Sequence, residues 1–129
     1  MREIKFKAWD KADKEMYEVG YIDFPSKKIQ LASIRDEICY KAFEVDMNEI
    51  EVLQYTGLKD KEGNGIYEGD VLKFSGNVVG LGIVKYNENF ATFQACNGNS
   101  GWLFGNESGT SIEIIGNVYE NLDLVGASK

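Results

Sequence analysis

A chain of 129 residues, 43% of them hydrophobic, is long enough for one domain or two very small ones with a packed core. The complete lack of histidine excludes Ser-His-Asp and Cys-His catalysis, imidazole metal ligands and histidine pH switches. The net charge of −7 disfavours a large surface for nucleic-acid phosphates, because such surfaces depend on clustered lysine and arginine.

The charges are unevenly distributed along the chain. Residues 1–41 carry nine basic and eight acidic side chains, whereas residues 42–129 carry five basic and thirteen acidic ones. If either part contacts nucleic acid, we expect it to be the first, because phosphate binding requires basic side chains.

The N-terminal part predicts a β-hairpin followed by a further strand. Residues 3–9 alternate between apolar and polar positions, as in a half-buried strand. One face of this strand carries Lys5, Lys7 and Trp9. A polar turn and two more predicted strands follow, over residues 10–14, 15–22 and 28–33.

Residues 34–49 fit two patterns. Phe43, Val45 and Met47 alternate with polar residues, as in a strand. Phe43, Met47 and Ile50 are also spaced to share one face of a helix. Asp46, with Glu49 three residues later, would cap a short helix. Both alternatives stay open at this point.

The rest of the chain predicts short strands separated by turns. They are expected over residues 50–55, 71–75, 78–86, 90–96, 102–104 and 112–119. The five strands after residue 70 are about what a small SH3-like barrel needs. We therefore predict a mainly β (β-rich α+β) chain. Residues 1–49 would form an N-terminal β-hairpin subdomain, a candidate oligomerisation element, and residues 50–129 an SH3-like small β-barrel.

Three short stretches carry motifs that are specific in combination. They are Ile4-Lys-Phe-Lys-Ala-Trp9 with Met16-Tyr17, then Gln54-Tyr-Thr-Gly-Leu-Lys-Asp60 with Ile66-Tyr-Glu-Gly-Asp70, and finally Glu113-Ile-Ile-Gly-Asn-Val-Tyr-Glu-Asn121. Together they resemble the YopX family of phage and prophage proteins. The resemblance implies a strand-rich N-terminal part ahead of an SH3-like barrel, a phage or prophage origin, and an accessory role in the cytoplasm of the bacterial host.

The loop from Asp60 to Val71 partly fits a calcium-binding pattern. Oxygen-bearing side chains occupy its first, third, fifth and ninth positions, which are Asp60, Glu62, Asn64 and Glu68. The twelfth position, a bidentate glutamate in such loops, is Val71. The competing interpretation is a polar turn in which Gly69 takes a positive φ and Asp70 accepts a backbone hydrogen bond. We expect no metal or cofactor, with a weak cation site as the alternative.

Aromatic side chains are the other candidates for binding. A platform of exposed rings would draw on Trp9, Tyr55, Tyr67, Tyr86, Trp102 and Phe104, unless these pack in the core or at a sheet edge. Lys5, Lys7 and Trp9 form the best basic and aromatic cluster. Three roles are open for this cluster: exposure to solvent, an oligomer interface or a contact with nucleic acid. The candidate binding residues are therefore Lys5, Lys7, Trp9, Tyr55, Tyr67 and Trp102.

The cysteines and the hydropathy pattern limit the cellular compartments in which we expect the protein. Cys39 and Cys96 stand far apart without nearby metal ligands, which predicts two buried free thiols. No apolar run is long enough to cross a bilayer, and the charged N-terminus lacks an apolar signal core. We expect a cytoplasmic protein that does not contact membranes.

These observations favour a noncatalytic module that binds another protein, through its acidic second half or through a sheet edge. We also expect self-association, since exposed strand edges are often satisfied by a second copy. Two alternatives remain. One is nucleic-acid binding through Lys5, Lys7 and Trp9. The other is a cation-dependent module or enzyme that uses the carboxylates of residues 60–70.

Overall fold

The computed structural model describes residues 4–76, 79–97, 100–102 and 110–121 of the chain. Within these ranges, eleven antiparallel β-strands and one short 3-10 turn make up the regular secondary structure. The mainly β class predicted from the sequence is therefore confirmed. The strands form two compact units, one spanning Ile4–Gln54 and the other comprising the described residues from Tyr55 onward. No helix in the described ranges combines the length and apolar character needed to cross a membrane.

The first unit contains five strands in one antiparallel arrangement. They are β1 (Phe6–Asp10), β2 (Glu15–Asp23), β3 (Lys28–Arg35), β4 (Ile38–Asp46) and the first half of β5 (Ile50–Lys59). Their order is β4-β3-β2-β1-β5, so the outer strands of this unit are β4 and β5.

The connection between these two outer strands requires the sheet to curve. Only the 3-10 turn Met47–Glu49 joins β4 to β5. Five flat strands would hold the outer two about 19 Å apart, whereas the chain from Asp46 to Ile50 spans at most about 14 Å. The two outer strands must therefore approach each other at this end.

Alternating side chains on one face of the curved sheet form the core of the first unit. Ala8 on β1 lies opposite Tyr17 on β2 and opposite Val52 on β5. The buried residues of this core are Ala8, Tyr17, Ile29, Leu31 and Ile50, with Val19, Ile22, Phe43, Val45, Met47 and Val52 packed around them.

A hydrogen bond from Tyr17 to the neighbouring turn predicts an alkaline pH dependence. The Tyr17 hydroxyl donates to Oδ2 of Asp13 at 2.5 Å. This bond, with burial and the charge of Asp13, raises the pKa of Tyr17 from 10.0 to about 12. Because the folded state holds the proton more tightly, the stabilisation is complete below pH 10 and is lost as the pH rises towards 12.

We therefore expect Tyr17→Phe to lower the free energy of unfolding by about 1 kcal/mol at neutral pH. The wild type should lose this advantage between pH 10 and about 12. Urea unfolding of both proteins across this range measures the difference. An equal decline of both stabilities with pH would contradict the assignment.

The second unit has the same strand connectivity as the first. Its strands are the second half of β5, then β6 (Gly65–Tyr67), β7 (Asp70–Gly76), β8 (Gly80–Asn87), β9 (Thr92–Asn97), β10 (Ser100–Trp102) and β11 (Thr110–Asn117). The five-stranded sheet has the order β10-β9-β8-β7-β11. In both units, four consecutive strands form a meander and the last strand of the sheet returns to pair with the first of them.

Apolar residues from several strands pack in the core of the second unit. The buried residues are Ile66, Leu72, Phe74, Val84 and Ala95, with Phe93, Ile112 and Ile114 packed against them. Among the described residues, no ladder joins β10 to β11, which would close this sheet. The mainly β class is confirmed, whereas the closed SH3-like barrel is not.

The structure resolves the two patterns as strand β4 up to Asp46, followed by the single 3-10 turn Met47–Glu49. Phe43 lies opposite Leu31 and Val45 opposite Ile29, so the alternation of β4 matches that of β3. Asp46 precedes the 3-10 turn without forming a side-chain cap. Its carboxylate pairs with Lys28 instead.

The two cysteines are free, as predicted, but they are not both buried. Cys39 is exposed and Cys96 is half-buried. The prediction of burial was wrong for Cys39 because it lies on β4, the outermost strand of its sheet, close to the β3–β4 turn.

Candidate functional site

Asp60 organises the loop that follows β5. Its Oδ1 accepts hydrogen bonds from the backbone N–H groups of Glu62 (3.0 Å) and Asn64 (2.9 Å), and its Oδ2 accepts one from Ile114 on β11 (3.2 Å). Asp60 is buried. Burial alone would raise the pKa of Asp60, but the hydrogen bonds from Asn64, Ile114 and Glu62 outweigh it and hold the pKa below 3.8.

This arrangement bears directly on the candidate cation site. Both oxygens of Asp60 already accept backbone hydrogen bonds, and a cation would have to compete with them. Glu62 and Asn64 are exposed in the same turn. Among the residues that the structure describes, no group of three or more aspartate, glutamate, cysteine or histidine side chains is arranged to hold a metal ion.

We call the middle one of the three motif stretches, Gln54–Asp60 with Ile66–Asp70, the central signature. Its second part is a turn held by backbone contacts. Gly69 has a φ of 85°, and Oδ2 of Asp70 accepts a hydrogen bond from the N–H of Tyr67 at 2.8 Å. Both features match the polar turn predicted from the sequence. The N–H of Gly69 donates to the carbonyl of Val84 on β8, and its carbonyl accepts from Val118, each at 2.9 Å.

The last of the three motif stretches, Glu113–Asn121, which we call the closing stretch, contacts both parts of the central signature, through Ile114 to Asp60 and through Val118 to Gly69. Besides the bond from Ile114 to Asp60, the N–H of Lys61 donates to the carbonyl of Ile112 at 2.9 Å. We call this set of contacts the signature clamp: Asp60, Lys61 and Gly69 with Ile112, Ile114 and Val118. The clamp ties the loop after β5 and the turn before β7 to β11 and the turn after it. The motifs of these two stretches therefore have a structural role.

The aromatic candidates of the central signature are buried. Tyr55 and Tyr67 lie opposite each other on β5 and β6, with ring centroids 5.3 Å apart. The Thr56 hydroxyl donates to the carbonyl of Ile66 at 2.8 Å beside them. Neither ring offers a surface to a ligand.

Two further aromatic candidates are only partly covered by the structure. The backbone of Trp102 lies in β10 opposite Ala95, but its side chain falls outside the described part of the structure. Phe104 lies outside the described residues altogether.

The basic and aromatic cluster lies on a face that also carries acidic residues. As predicted, Lys7 and Trp9 share one face of β1, with Lys5 just before the strand. Lys7 lies opposite Glu18 on β2, and Trp9 lies opposite Glu51 on β5. The glutamates offset the positive charge that a phosphate backbone would require.

The hairpin of β8 and β9 presents exposed aromatic side chains. Tyr86 is 47% exposed and Phe90 is 71% exposed. The Tyr86 ring meets Phe93 edge to face, with centroids 5.3 Å apart. Phe90 was not singled out from the sequence because it was assigned to a strand, whereas the structure places it in the turn before β9. The sequence signal for an exposed aromatic residue was the position of Phe90 directly after the polar turn Asn87-Glu-Asn89.

The turn that carries Phe90 is held by its own polar side chains. Oδ1 of Asn87 accepts hydrogen bonds from the N–H groups of Asn89 (2.9 Å) and Phe90 (3.3 Å). The Asn87 side-chain amide donates to Oε1 of Gln94 on β9 at 3.0 Å. The hairpin end is therefore ordered before any partner binds.

Comparison with known proteins finds similarity over nearly the whole chain. A family model described as YopX protein matches residues 5–125. The crystal structure of protein EF1440 from Enterococcus faecalis is similar, with a TM-score of 0.67 and 23% sequence identity, over 97% of this chain and 99% of that chain. At this level of identity the likeness shows a shared fold. No curated protein matches the chain.

Proposed function

This chain belongs to the YopX family, and from that premise we propose that it works as a noncatalytic protein-interaction module. Two features support the noncatalytic part. Asp60 and Asp70, both candidates for chemistry, accept hydrogen bonds from backbone N–H groups. The chain also lacks histidine, the usual general base near neutral pH.

The observation that carries the proposal is the exposed aromatic end of the β8–β9 hairpin, formed by Tyr86 and Phe90. Aromatic side chains are enriched in protein interfaces, where tyrosine in particular contributes much of the binding energy. Because Asn87 already holds the turn, little conformational entropy would be lost when a partner covers Phe90.

The family membership also guides the biological setting of the proposal. The YopX resemblance suggests a phage or prophage protein with an accessory role in the cytoplasm of a bacterial host. We include self-association in the proposal, because each unit of a chain built from short antiparallel sheets has outer strands. The proposed function does not include a bound cofactor.

The test is capture from host lysate with three tagged proteins: wild type, Tyr86→Ser/Phe90→Ser, and the control Phe24→Ser. Phe24 is a suitable control because it is also 68% exposed in a turn, but in the first unit. We expect wild type and the control to retain the same defined protein after nuclease treatment. The double variant should retain about ten-fold less of it.

Two results would contradict the proposal. Equal retention by all three proteins would remove the β8–β9 hairpin as the binding surface. Loss of all bound material on nuclease treatment would favour nucleic-acid binding through Lys5, Lys7 and Trp9. That alternative also predicts a steep loss of affinity with added salt.

A further inference from the structure

Strand β11 is an outer strand of the second sheet, and its sequence suits pairing with another strand. In the described sheet its neighbour is β7. The strand contains isoleucine at positions 112, 114 and 115, no proline, and Glu113 as its one charged residue. Segments that are β-branched, weakly charged and free of proline readily pair with further strands when their edge is open. An open edge on β11 would therefore invite a second chain.

The loop of residues 60–64 covers this edge. The carbonyl of Ile112 and the N–H of Ile114 bond to the loop, so both groups point away from β7. The N–H of Lys61 donates to the Ile112 carbonyl at 2.9 Å, and Oδ2 of Asp60 accepts from the Ile114 N–H at 3.2 Å. The Asp60 carboxylate thus takes the place that a backbone carbonyl of a neighbouring strand would fill. We call residues 60–64 the edge cap.

The edge cap does not extend the sheet outward, because all five of its N–H groups already form hydrogen bonds. The N–H of Asp60 donates to the Asn64 carbonyl at 2.8 Å, and that of Gly63 to the Asp60 carbonyl at 3.0 Å. The N–H groups of Glu62 and Asn64 donate to Oδ1 of Asp60, and that of Lys61 donates to β11. The cap therefore presents no row of backbone donors to a further strand.

We propose that the edge cap keeps β11 from pairing with β11 of a second copy, and that the chain dimerises through this strand when the cap is released. The two strands would run antiparallel about a two-fold axis at Ile112. The Ile112 carbonyl then accepts from the Ile112 N–H of the second copy, and the Ile114 N–H donates to its Thr110 carbonyl. Ser111 lies opposite Glu113 of the second copy, so no like charges are opposed. The inference is separate from the proposed function.

Lys61→Pro tests the proposal by removing the N–H that donates to Ile112. Proline is expected to fit, because Lys61 is the second residue of the four-residue turn closed by the bond from Gly63 to Asp60. Lys61→Ala is the matched control. It keeps the N–H and removes only the side chain, whose Nζ lies 3.9 Å from Oε1 of Glu113. Only the proline variant should therefore free the edge of β11.

Asp60→Asn releases the other bond of the cap with almost no change in volume. When the amide oxygen keeps the N–H groups of Glu62 and Asn64, the amide nitrogen faces the N–H of Ile114, so that two donors oppose each other. Glu62→Ala is its control, because this exposed side chain lies in the same loop. Asp60→Asn keeps the proposal testable if Lys61→Pro does not fold.

Sedimentation of all five proteins at pH 7 measures their association against the wild type at the same concentrations. We expect K61P and D60N to associate at least about ten-fold more tightly than the wild type, and K61A and E62A to match it. Thermal unfolding confirms that each variant is folded. Hydrogen exchange gives a second readout: in D60N the N–H of Ile114 should exchange more slowly as the protein concentration rises, because a second β11 strand then covers it.

Substitutions at Ser111 identify the paired strand. Ser111 is exposed and lies opposite Ser75 on β7, so the single chain tolerates a charge of either sign there. In the D60N background, Ser111→Glu should weaken the dimer about ten-fold, because two pairs of glutamates then face each other across the axis. Ser111→Lys should strengthen the dimer, because each lysine then faces Glu113 of the other copy.

The possible outcomes distinguish release of the cap from association of another kind. Association of the cap variants that S111E weakens and S111K strengthens supports the proposal. Folded cap variants that associate no more than the wild type overturn it. A dimer that does not respond to the charge at residue 111 overturns β11 as the paired strand. Capture of a partner through the β8–β9 hairpin is measured separately and does not depend on any of these results.

Discussion

Replacing Asp60 with alanine is expected to lower the free energy of unfolding of the second unit by about 3–4 kcal/mol. The substitution removes the acceptor for the N–H groups of Glu62, Asn64 and Ile114. Hydrogen bonds to a charged group contribute more than neutral ones, and partly buried donors left without an acceptor add a desolvation penalty. Urea unfolding at pH 7 measures the loss.

Glu62→Ala is the matched control for this prediction. Glu62 lies two residues away in the same loop, and its side chain is exposed. We expect its substitution to change stability by less than about 0.5 kcal/mol. Equal effects of the two substitutions would show that the carboxylate of Asp60 does not hold the loop.

The dependence of the unfolding free energy on acidic pH provides a second test of the role of Asp60. Its pKa in the folded state lies below the ordinary 3.8, because hydrogen bonds from the backbone outweigh the effect of burial. The stabilisation is therefore present above pH 3.8 and is lost as the pH falls through the lower, folded-state pKa. The difference between wild type and Asp60→Ala should stay constant from neutral pH to about pH 4 and shrink below it.

Gly69→Ala is expected to destabilise the second unit by about 3 kcal/mol. The φ of 85° at Gly69 costs a residue with a Cβ about 1–2 kcal/mol. An added Cβ would also lie 2.8 Å from the Tyr119 ring and 3.6 Å from the Val118 side chain. The contact with Val118 is an ordinary one, but the half-buried Tyr119 ring would have to move, which adds a further cost of about 1 kcal/mol or more.

Gly63→Ala separates the two contributions. Gly63 has nearly the same φ, 88°, but an added Cβ would meet no atom within 4 Å. We expect it to cost only the backbone part, about 1–2 kcal/mol. Thermal or urea unfolding of both variants gives the difference. If Gly69→Ala is no more harmful than Gly63→Ala, the turn before β7 is not packed against the closing stretch.

Most of the strands were predictable from the sequence because apolar and polar residues alternate along them, and the apolar residues lie on the buried face of the sheet. The pattern of residues 15–22 and 28–33 predicts β2 and β3 closely, since Tyr17, Ile29 and Leu31 all lie in the core. The short strand β6 was missed because Gly65-Ile-Tyr67 is embedded in a loop rich in glycine.

The sequence does not decide between strand and helix for β4, for a different reason. Most of its side chains are exposed, so only Phe43 and Val45 reveal its periodicity. The turn before it uses Asp36 and Glu37 at positive φ, positions that usually require glycine or asparagine. Nothing in the composition of this stretch marks the hairpin.

The candidate sites were less predictable than the strands because they depend on contacts distant in sequence. The turn chemistry of Gly69 and Asp70 is local and was predicted. The bond from Ile114 to Asp60 joins residues 54 positions apart, and only the fold brings them together. The pairing of Lys7 with Glu18 across β1 and β2 likewise follows from a register that the sequence does not specify.

The central claim is that the loop of residues 60–70 is held in the signature clamp and has a structural role, and that it does not bind a cation. Amide NMR spectra of the wild type, recorded with and without millimolar Ca²⁺ or Mg²⁺, test this claim most directly. We predict that the N–H groups of Glu62, Asn64 and Ile114 are protected from hydrogen exchange, and that the cations leave the amide signals of residues 60–70 unchanged. A saturable shift confined to residues 60–70, or rapid exchange of these three N–H groups, would contradict the account.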